Sequence, residues 1–413
     1  MTFDPTPTPG HGPRENRGDA APNIGGKLVF SSGAVNATLD RLGNLPFVQI
    51  AVATSRSGDP RAPFSVGEAQ GELLQDQIHD VWRFYRHSRF KSFTDEQLKT
   101  QAAHFEKVIE TFEPAYAEEI RGIACGAGLE PWQVFALNAR TELINRARQS
   151  STPANEPGEC TSVSFGGGAA VMGQTWDWGV DVAQSMAAIE ITRPDGHTLV
   201  FLAEPGIIGK MGMNSAGVGV ALNILGGEAQ SDGVPIHILL RSALDADSAE
   251  AAIARFQFGT ARGTMSNILI ADATGKHALL EFYGHDLFVI SPTTDICHTN
   301  HYLESGVEVL GDDFSSVNSA CRLQRTRQLL HGVSNRSVDD MKAILGDQAN
   351  GEHAISATPK YYADYDMTIG TIVTMVADLK NRTIHFTHSK DGHAAYTAHT
   401  IRPANGHQTG AIH

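Results

Sequence analysis

Near residue 150 the hydrophobic period of this chain changes, and that change limits what it can fold into. Before it, apolar residues recur three and four positions apart. Leu98, Ala102, Phe105, Ile109 and Phe112 follow Thr94, with Gln97 placed to close a capping box. Pro114 and Pro131 open two further helices, the first carrying Tyr116, Ile120 and Ile123, the second Val134 and Leu137. A helical region also begins at 63–75. From Cys160 onward the apolar residues alternate instead, with Cys160, Ser162 and Ser164 on one face and Thr161, Val163 and Phe165 on the other. Strands are expected at 169–177, 186–192, 198–203, 217–223, 267–272, 278–283, 287–291, 370–377 and 382–388. Two helical stretches, 236–256 and about 316–345, interrupt them. The seam is 147–158, ARQSSTPANEPG, a loop by composition.

A helical front part therefore precedes a sheet-rich back part. Many half-apolar strands in one chain are satisfied by two packed sheets with helices outside them. The expected organisation is a flexible tail over 1–26, rich in Pro, Gly and Asn, a mostly helical segment over 27–159, and an α+β core over 160–413. The net charge of −14 argues against nucleic acid or an anionic membrane as a partner. No apolar run is long enough to span a bilayer, and the opening MTFDPTPTPGHGPRENRG lacks the apolar core of a signal peptide. The 4 cysteines form no C-x-x-C pair. That usage suits a reducing compartment, so the expected location is cytoplasmic.

Cys160 stands where the seam meets the first strand, which makes it a candidate nucleophile. If the bond between Glu159 and Cys160 is broken, the cysteine gains a free α-amine of pKa about 7.7–8.0. Nucleophile and base then come in one residue, and no histidine is required. The plainer reading is an inert buried cysteine. Asp177 could cap a turn, and Asn223 and Asn300 could be loop formers. His298 and His301 could bind a metal, or serve an uncleaved Cys-His thiol hydrolase. The run Gly206 to Lys210, followed by Gly212, lacks the spacing of a phosphate loop. A non-catalytic scaffold kept for binding is the reading outside enzymology.

Several motifs narrow these choices. Cys160-Thr161 opens a strand, and Gly173-Gln174-Thr175-Trp176-Asp177 forms a G-Q-x-W-D turn. Glu204 to Val218 reads EPGIIGKMGMNSAGV, and His298 to His301 reads HTNH. In the front part stand Phe64, Gly67 and Gly71, then EEIRGIA at 118–124 and N-x-R-T-E at 138–142. In this order they resemble the isopenicillin-N N-acyltransferase family, also called acyl-coenzyme A:6-aminopenicillanic acid acyltransferases, within the autoproteolytic N-terminal-nucleophile superfamily. The resemblance runs from about residue 62 to the end.

The resemblance implies a four-layer αββα sandwich preceded by a helical segment. It implies a chain that cuts itself between Glu159 and Cys160 and whose two fragments stay associated. Cys160 matches the family nucleophile and Asp177 the aspartate that orients the new amine. Asn300 matches an oxyanion-holding asparagine, and Asn223 a second amide of the same purpose in the wider superfamily. The implied reaction makes or breaks an N-acyl amide bond through a thioester acyl-enzyme. The implied substrate is a small N-acyl amine or an acyl-CoA, and no metal or organic cofactor is needed. Three positions depart from the pattern. Glu159 replaces the glycine that precedes the family cysteine, and a side chain there restricts the backbone. Gln174 stands where bile-salt hydrolases carry arginine. The late family arginine has no counterpart in the aligned stretch DMTIGTIVTMV, residues 366–376.

Overall fold

The alternation that begins at Cys160 builds two sheets laid face to face. A computed structural model describes residues 28–53, 58–149, 160–227, 229, 232–257, 263–304, 317–363, 365–388 and 395–401. The expected tail over 1–26, most of the seam and Glu159 lie outside the described residues.

The front part opens with strands β1 (Leu28–Ser32), β2 (Val35–Leu42) and β3 (Leu45–Val52). Helices α1 (Ala62–Leu73), α2 (Gln75–Ser88), α3 (Asp95–Phe112), α4 (Pro114–Ala127), α5 (Pro131–Asn138) and α6 (Arg140–Gln149) follow. The back part carries β4 (Cys160–Ser164), β5 (Val171–Gly179), α7 (Val180–Ala183), β6 (Ala187–Thr192), β7 (Thr198–Ala203), β8 (Gly212–Asn214) and β9 (Val218–Ile224). Next come α8 (Ile236–Leu244), α9 (Ala249–Gln257), β10 (Thr264–Asp272), β11 (His277–Gly284), β12 (Asp286–Ile290) and β13 (Ile296–His298). The chain continues through α10 (Val317–His331), α11 (Val338–Leu345), β14 (Lys360–Tyr362), β15 (Met367–Asp378), β16 (Thr383–His388) and β17 (Thr397–Thr400).

The first sheet runs β1-β2-β3-β6-β7-β8-β9-β10-β11-β12, and the second β13-β4-β5-β15-β16-β17 with β14 beside β15. Helices α8 and α9 cover the outer face of the first sheet, and α10 and α11 that of the second. The inner faces meet where β4 and β5 lie against β9. The result is the four-layer αββα sandwich. Leu323, Leu330, Met341, Ile344 and Leu345 of α10 and α11 form one core with Val163, Phe165 and Val171. Thr161, Val163 and Phe165 therefore look outward to the helices, while Cys160, Ser162 and Ser164 look inward to the first sheet.

The front helices form for local reasons. Thr94 and Gln97 close the expected box, with Gln97 N donating to Thr94 Oγ1 at 3.2 Å and Thr94 N to Gln97 Oε1 at 2.8 Å. α4 starts on Pro114 and stops at Gly128, whose φ of 69° suits glycine. α1 and α4 cross backbone to backbone. A Cβ on Gly67 or Gly71 would strike the carbonyls of Glu119 or Ile123, and one on Gly122 or Gly126 those of Phe64 or Glu68. Glycine spacing in both helices thus sets the crossing distance.

Two features join front to back. β3 pairs in parallel with β6, from Phe47 opposite Ala188 to Ala51 opposite Thr192. Arg241 of α8 donates to both carboxylate oxygens of Glu119 of α4, at 2.7 and 2.8 Å, with both side chains buried. The mostly helical segment thus also contributes three strands to the first sheet. Residues 147–149, expected in the seam, end α6. The helical stretches at 236–256 and 316–345 are each two helices. Among the described residues, no helix is long and apolar enough to cross a membrane.

Candidate active site

Cys160 is the first residue of β4, and β4 runs inside the second sheet between β13 and β5. The residue is 2% exposed. Its thiol shares the inner face with Ser162, so it looks into the space between the sheets.

Both backbone ends of Cys160 are held. Its N–H donates to Asn300 Oδ1 at 3.0 Å. Its carbonyl accepts from Arg322 Nη1 at 2.6 Å and from Asn223 Nδ2 at 3.3 Å. Asn223 sits on β9, directly across from Cys160's strand. Its Oδ1 accepts from Ser162 Oγ at 2.6 Å and from Asn267 Nδ2 at 3.0 Å. Two donors on one oxygen settle which way the amide faces, so Nδ2 must point at the Cys160 carbonyl and, at 3.4 Å, that of His298. Asn300 follows β13. Its Nδ2 donates to the Ile224 carbonyl at 2.9 Å, and its own N–H to Ser319 Oγ at 2.8 Å.

Arg322 was not among the residues singled out from the sequence. It lies on α10, fully buried, and sends Nη1 also to Thr161 Oγ1 at 2.9 Å and Nη2 to Asn300 Oδ1 at 2.9 Å. Its Nε donates to Asn318 Oδ1 at 2.7 Å. A guanidinium therefore reaches the cysteine from a helix, whereas the strand aligned with the family's late arginine carries none. The buried stripe of α10 is Ser319, Arg322, Leu323, Thr326 and Leu330. An arginine at a stripe position was the available signal.

Asp177 lies on β5, one residue past Trp176, the register partner of Cys160. Alternation places its side chain on the helix-covered face of the sheet, opposite the thiol. It is buried, and Oδ1 accepts a hydrogen bond from Thr371 Oγ1 on β15. The structure thus gathers Cys160, Asn223 and Asn300 into one hydrogen-bonded set, with Asp177 on the adjoining strand. His298 is committed elsewhere: Nε2 lies 2.6 Å from Glu281 Oε1 and Nδ1 2.7 Å from the Thr299 carbonyl. That ring is not available as the base of a Cys-His pair. His301 Nδ1 lies 2.7 Å from Ser319 Oγ.

A buried ionic cluster lies against Trp176, the register partner of Cys160. Lys210 Nζ donates to Glu204 Oε2 at 2.8 Å and stands 3.1 Å from the Trp176 ring centre. Arg140 Nη2 is 3.3 Å from Glu204 Oε1, which also accepts from Tyr85 Oη at 2.6 Å. Burial opposes ionisation of Glu204, but Arg140 and Lys210 outweigh it and hold the carboxyl at about 2. Burial pulls Lys210 down to about 7, against the attraction of Glu204. Arginine does not release its proton, so the lysine is the cation of the pair whose proton burial loosens.

The two packed sheets with helices outside them define a protein of the αββα class. The family model for acyl-coenzyme A:6-aminopenicillanic acid acyl-transferases matches residues 164–392. The acyl-coenzyme A:6-aminopenicillanic-acid-acyltransferase 40 kDa form of Emericella nidulans is 30% identical over 250 residues, covering 58% of this chain and 67% of that protein. The chain belongs to this acyltransferase family. Among solved structures, a conjugated bile acid hydrolase from Clostridium perfringens aligns at TM-score 0.46 and 12% identity, over 60% of this chain and 94% of that one. A penicillin V acylase from Agrobacterium tumefaciens aligns at TM-score 0.39 and 14% identity, over 56% of this chain and 83% of that one. Asp177, Asn223 and Asn300 fall inside the family match, and Cys160 lies four residues ahead of it.

Proposed function

We propose that the protein is made as a precursor that cuts itself between Glu159 and Cys160, and that Cys160 then serves as nucleophile in N-acyl amide chemistry. The observation that supports this most is the treatment of Cys160 itself. A strand-opening, inward-facing cysteine has its nitrogen held by Asn300 and its carbonyl by Arg322 and Asn223.

In the mature reaction the α-amine of Cys160 takes the thiol proton, and the sulfur attacks an amide or thioester carbonyl. Asp177 orients the amine by a charge-assisted hydrogen bond. Asn300 donates to the oxyanion, and Asn223 does so by turning one N–H from its long bonds to the Cys160 and His298 carbonyls, each donor worth about 3–4 kcal/mol in the transition state. The leaving amine or coenzyme A departs with a proton, giving a thioester acyl-enzyme. Water or an acceptor amine resolves it, so hydrolysis and acyl transfer are two exits from one intermediate. The substrate is a small N-acyl amine, with acyl-CoA as donor in the transfer direction. The two fragments remain together through the β3–β6 ladder and the Glu119–Arg241 pair. The sparse cysteine usage, 4 with no C-x-x-C pair, supports a reducing, cytoplasmic setting.

Intact mass and N-terminal sequencing test the processing step. The expected outcome is two pieces, the larger beginning Cys-Thr-Ser-Val, with Cys160→Ala remaining whole. Cys160→Ser should cut slowly or not at all. A Cys160→Ala protein cut at the same bond would assign the cleavage to another protease. Activity from a wild-type chain that stays whole would refute the N-terminal nucleophile.

A further inference from the structure

We propose that Glu281 is a positioning residue for the reaction at Cys160. Its carboxylate fastens both ends of the turn 298–304 and so holds Asn300, inside that turn, in place beside the cysteine. The inference rests on the reading of Asn300 as an oxyanion donor.

The placement comes from a polar row across the first sheet. In register, Asn223 of β9 lies opposite Asn267 of β10, and Asn267 opposite Glu281 of β11. Register partners share a face, so all three side chains look between the sheets, and all three are fully buried. Three groups of the turn end on Glu281. His298 Nε2 lies 2.6 Å from Oε1, the Leu303 N–H donates to Oε1 at 2.7 Å, and the Glu304 N–H donates to Oε2 at 3.0 Å. The first attachment precedes Asn300 in the chain and the other two follow it. Between them, α10 holds the turn from its other side: Asn300 N donates to Ser319 Oγ at 2.8 Å, and Thr299 Oγ1 to the Ser319 carbonyl at 3.1 Å. From this frame Asn300 accepts from the Cys160 nitrogen at 3.0 Å. The same row reaches the turn a second time, because Asn223 donates to the His298 carbonyl at 3.4 Å.

The chemistry of this attachment calls for a carboxylate. Glu281 presents two oxygens, and each meets a backbone N–H of the turn, Oε1 that of Leu303 and Oε2 that of Glu304. A glutamine of the same shape would turn its NH2 against one of those N–H groups, Glu304 in one orientation and Leu303 in the other. An aspartate keeps the two oxygens but is one CH2 shorter, so it cannot reach both ends of the turn together. His298, which has no part as a base, becomes the first anchor of the turn that carries Asn300. The consequence for the reaction is preorganisation. An oxyanion donor is worth most when its direction is fixed before the charge develops. A turn released at one end no longer fixes the Asn300 amide, although the amide itself is still present.

A double-mutant cycle in kcat between Glu281→Gln and Asn300→Ala tests this. The probe is a short-chain acyl 4-nitroanilide, and intact mass on each sample corrects for uncut chain. Glu281→Gln alone should lower kcat at least about tenfold, with KM within about twofold of wild type. Added to Asn300→Ala, it should change kcat by less than about twofold, because the group it positions is gone. A Glu281 of purely structural worth would lower kcat by the same factor in both backgrounds, and that result overturns the proposal. So does a loss confined to KM, or a folded Glu281→Gln with near wild-type kcat. Near wild-type kcat in Asn300→Ala has a different meaning: Asn300 is then no oxyanion donor, and the proposal falls with that reading. If Glu281→Gln does not fold, Glu281→Asp enters the same cycle, and equal losses in the two backgrounds again overturn the positioning role.

Discussion

Replacing Asn300 by aspartate separates the two jobs its amide performs. The carbonyl oxygen of Asn300 accepts from the Cys160 nitrogen at 3.0 Å and from Arg322 at 2.9 Å. The amide nitrogen donates to the Ile224 carbonyl at 2.9 Å, and its second hydrogen is the oxyanion donor proposed above. Asn300→Asp keeps the acceptor and removes both donors. On the stability side the loss is one neutral hydrogen bond, about 1 kcal/mol, while the new carboxylate meets the Arg322 guanidinium. The variant should therefore fold, with stability within about 2 kcal/mol of wild type by urea unfolding. On the catalytic side, removing one oxyanion donor costs about 2.7–4 kcal/mol, or about a hundred- to a thousand-fold in kcat. A negative charge beside a developing oxyanion raises the barrier further. KM should change little, because the interaction belongs to the transition state. Asn300→Ala should lower kcat in the same range. The assay is steady-state hydrolysis of an N-acyl amine, with the uncut fraction of each sample subtracted by intact mass. A folded, processed Asn300→Asp protein with near wild-type kcat would remove Asn300 from the oxyanion site. A change confined to KM would place it in substrate binding instead.

Other perturbations probe the frame around the cysteine. Asp177→Asn should give a folded protein with little turnover, because the α-amine loses its charged partner; near wild-type rates would leave Asp177 a structural role such as its bond to Thr371. Glu159→Gly should be processed at least as fast as wild type by intact mass, since glycine frees the backbone before the cut. Gly122→Ala should destabilise the chain by about 1–3 kcal/mol or more in urea unfolding, because its Cβ would meet the Phe64 carbonyl across the α1–α4 crossing. Unchanged stability there would mean the two helices can move apart freely.

Much of the sheet architecture was legible because its strands alternate or run fully apolar between turn residues. The expected 198–203 and the observed Thr198–Ala203 coincide. The expected 217–223 differs from Val218–Ile224 by one residue at each end. The split at 236–256 was hidden because Asp245 to Ser248 break the helix without a glycine or proline. In β2 the alternation of Val35, Ala37 and Leu39 with Asn36, Thr38 and Asp40 is cut short by Arg41 on the apolar face, so the run escaped notice. At the site, Cys160, Asn223 and Asn300 were singled out through motifs, and Cys160 hydrogen-bonds to both asparagines. Arg322 was not, because its partners are 162 and 22 residues away in the chain, and no local pattern encodes such contacts. Lys210 was seen only as a failed phosphate loop. Its meaning depends on Glu204, Arg140 and Trp176 meeting around it, which spacing alone does not reveal.

The parallel ladder between β3 and β6 carries one more implication. A row of open N–H and C=O groups at a sheet's margin is a template for another chain, and proteins keep such margins covered. Without the front segment, β6 would present that open row along residues 188–192, flanked by the apolar Ala187, Ala188, Ile189 and Ile191. The front segment thus acts as an edge guard for the back one. A back fragment made alone would expose a sticky margin to its own copies, whereas a cut made after folding leaves the guard already zipped in place. Folding of the whole chain ahead of the proposed cut would then protect against aggregation.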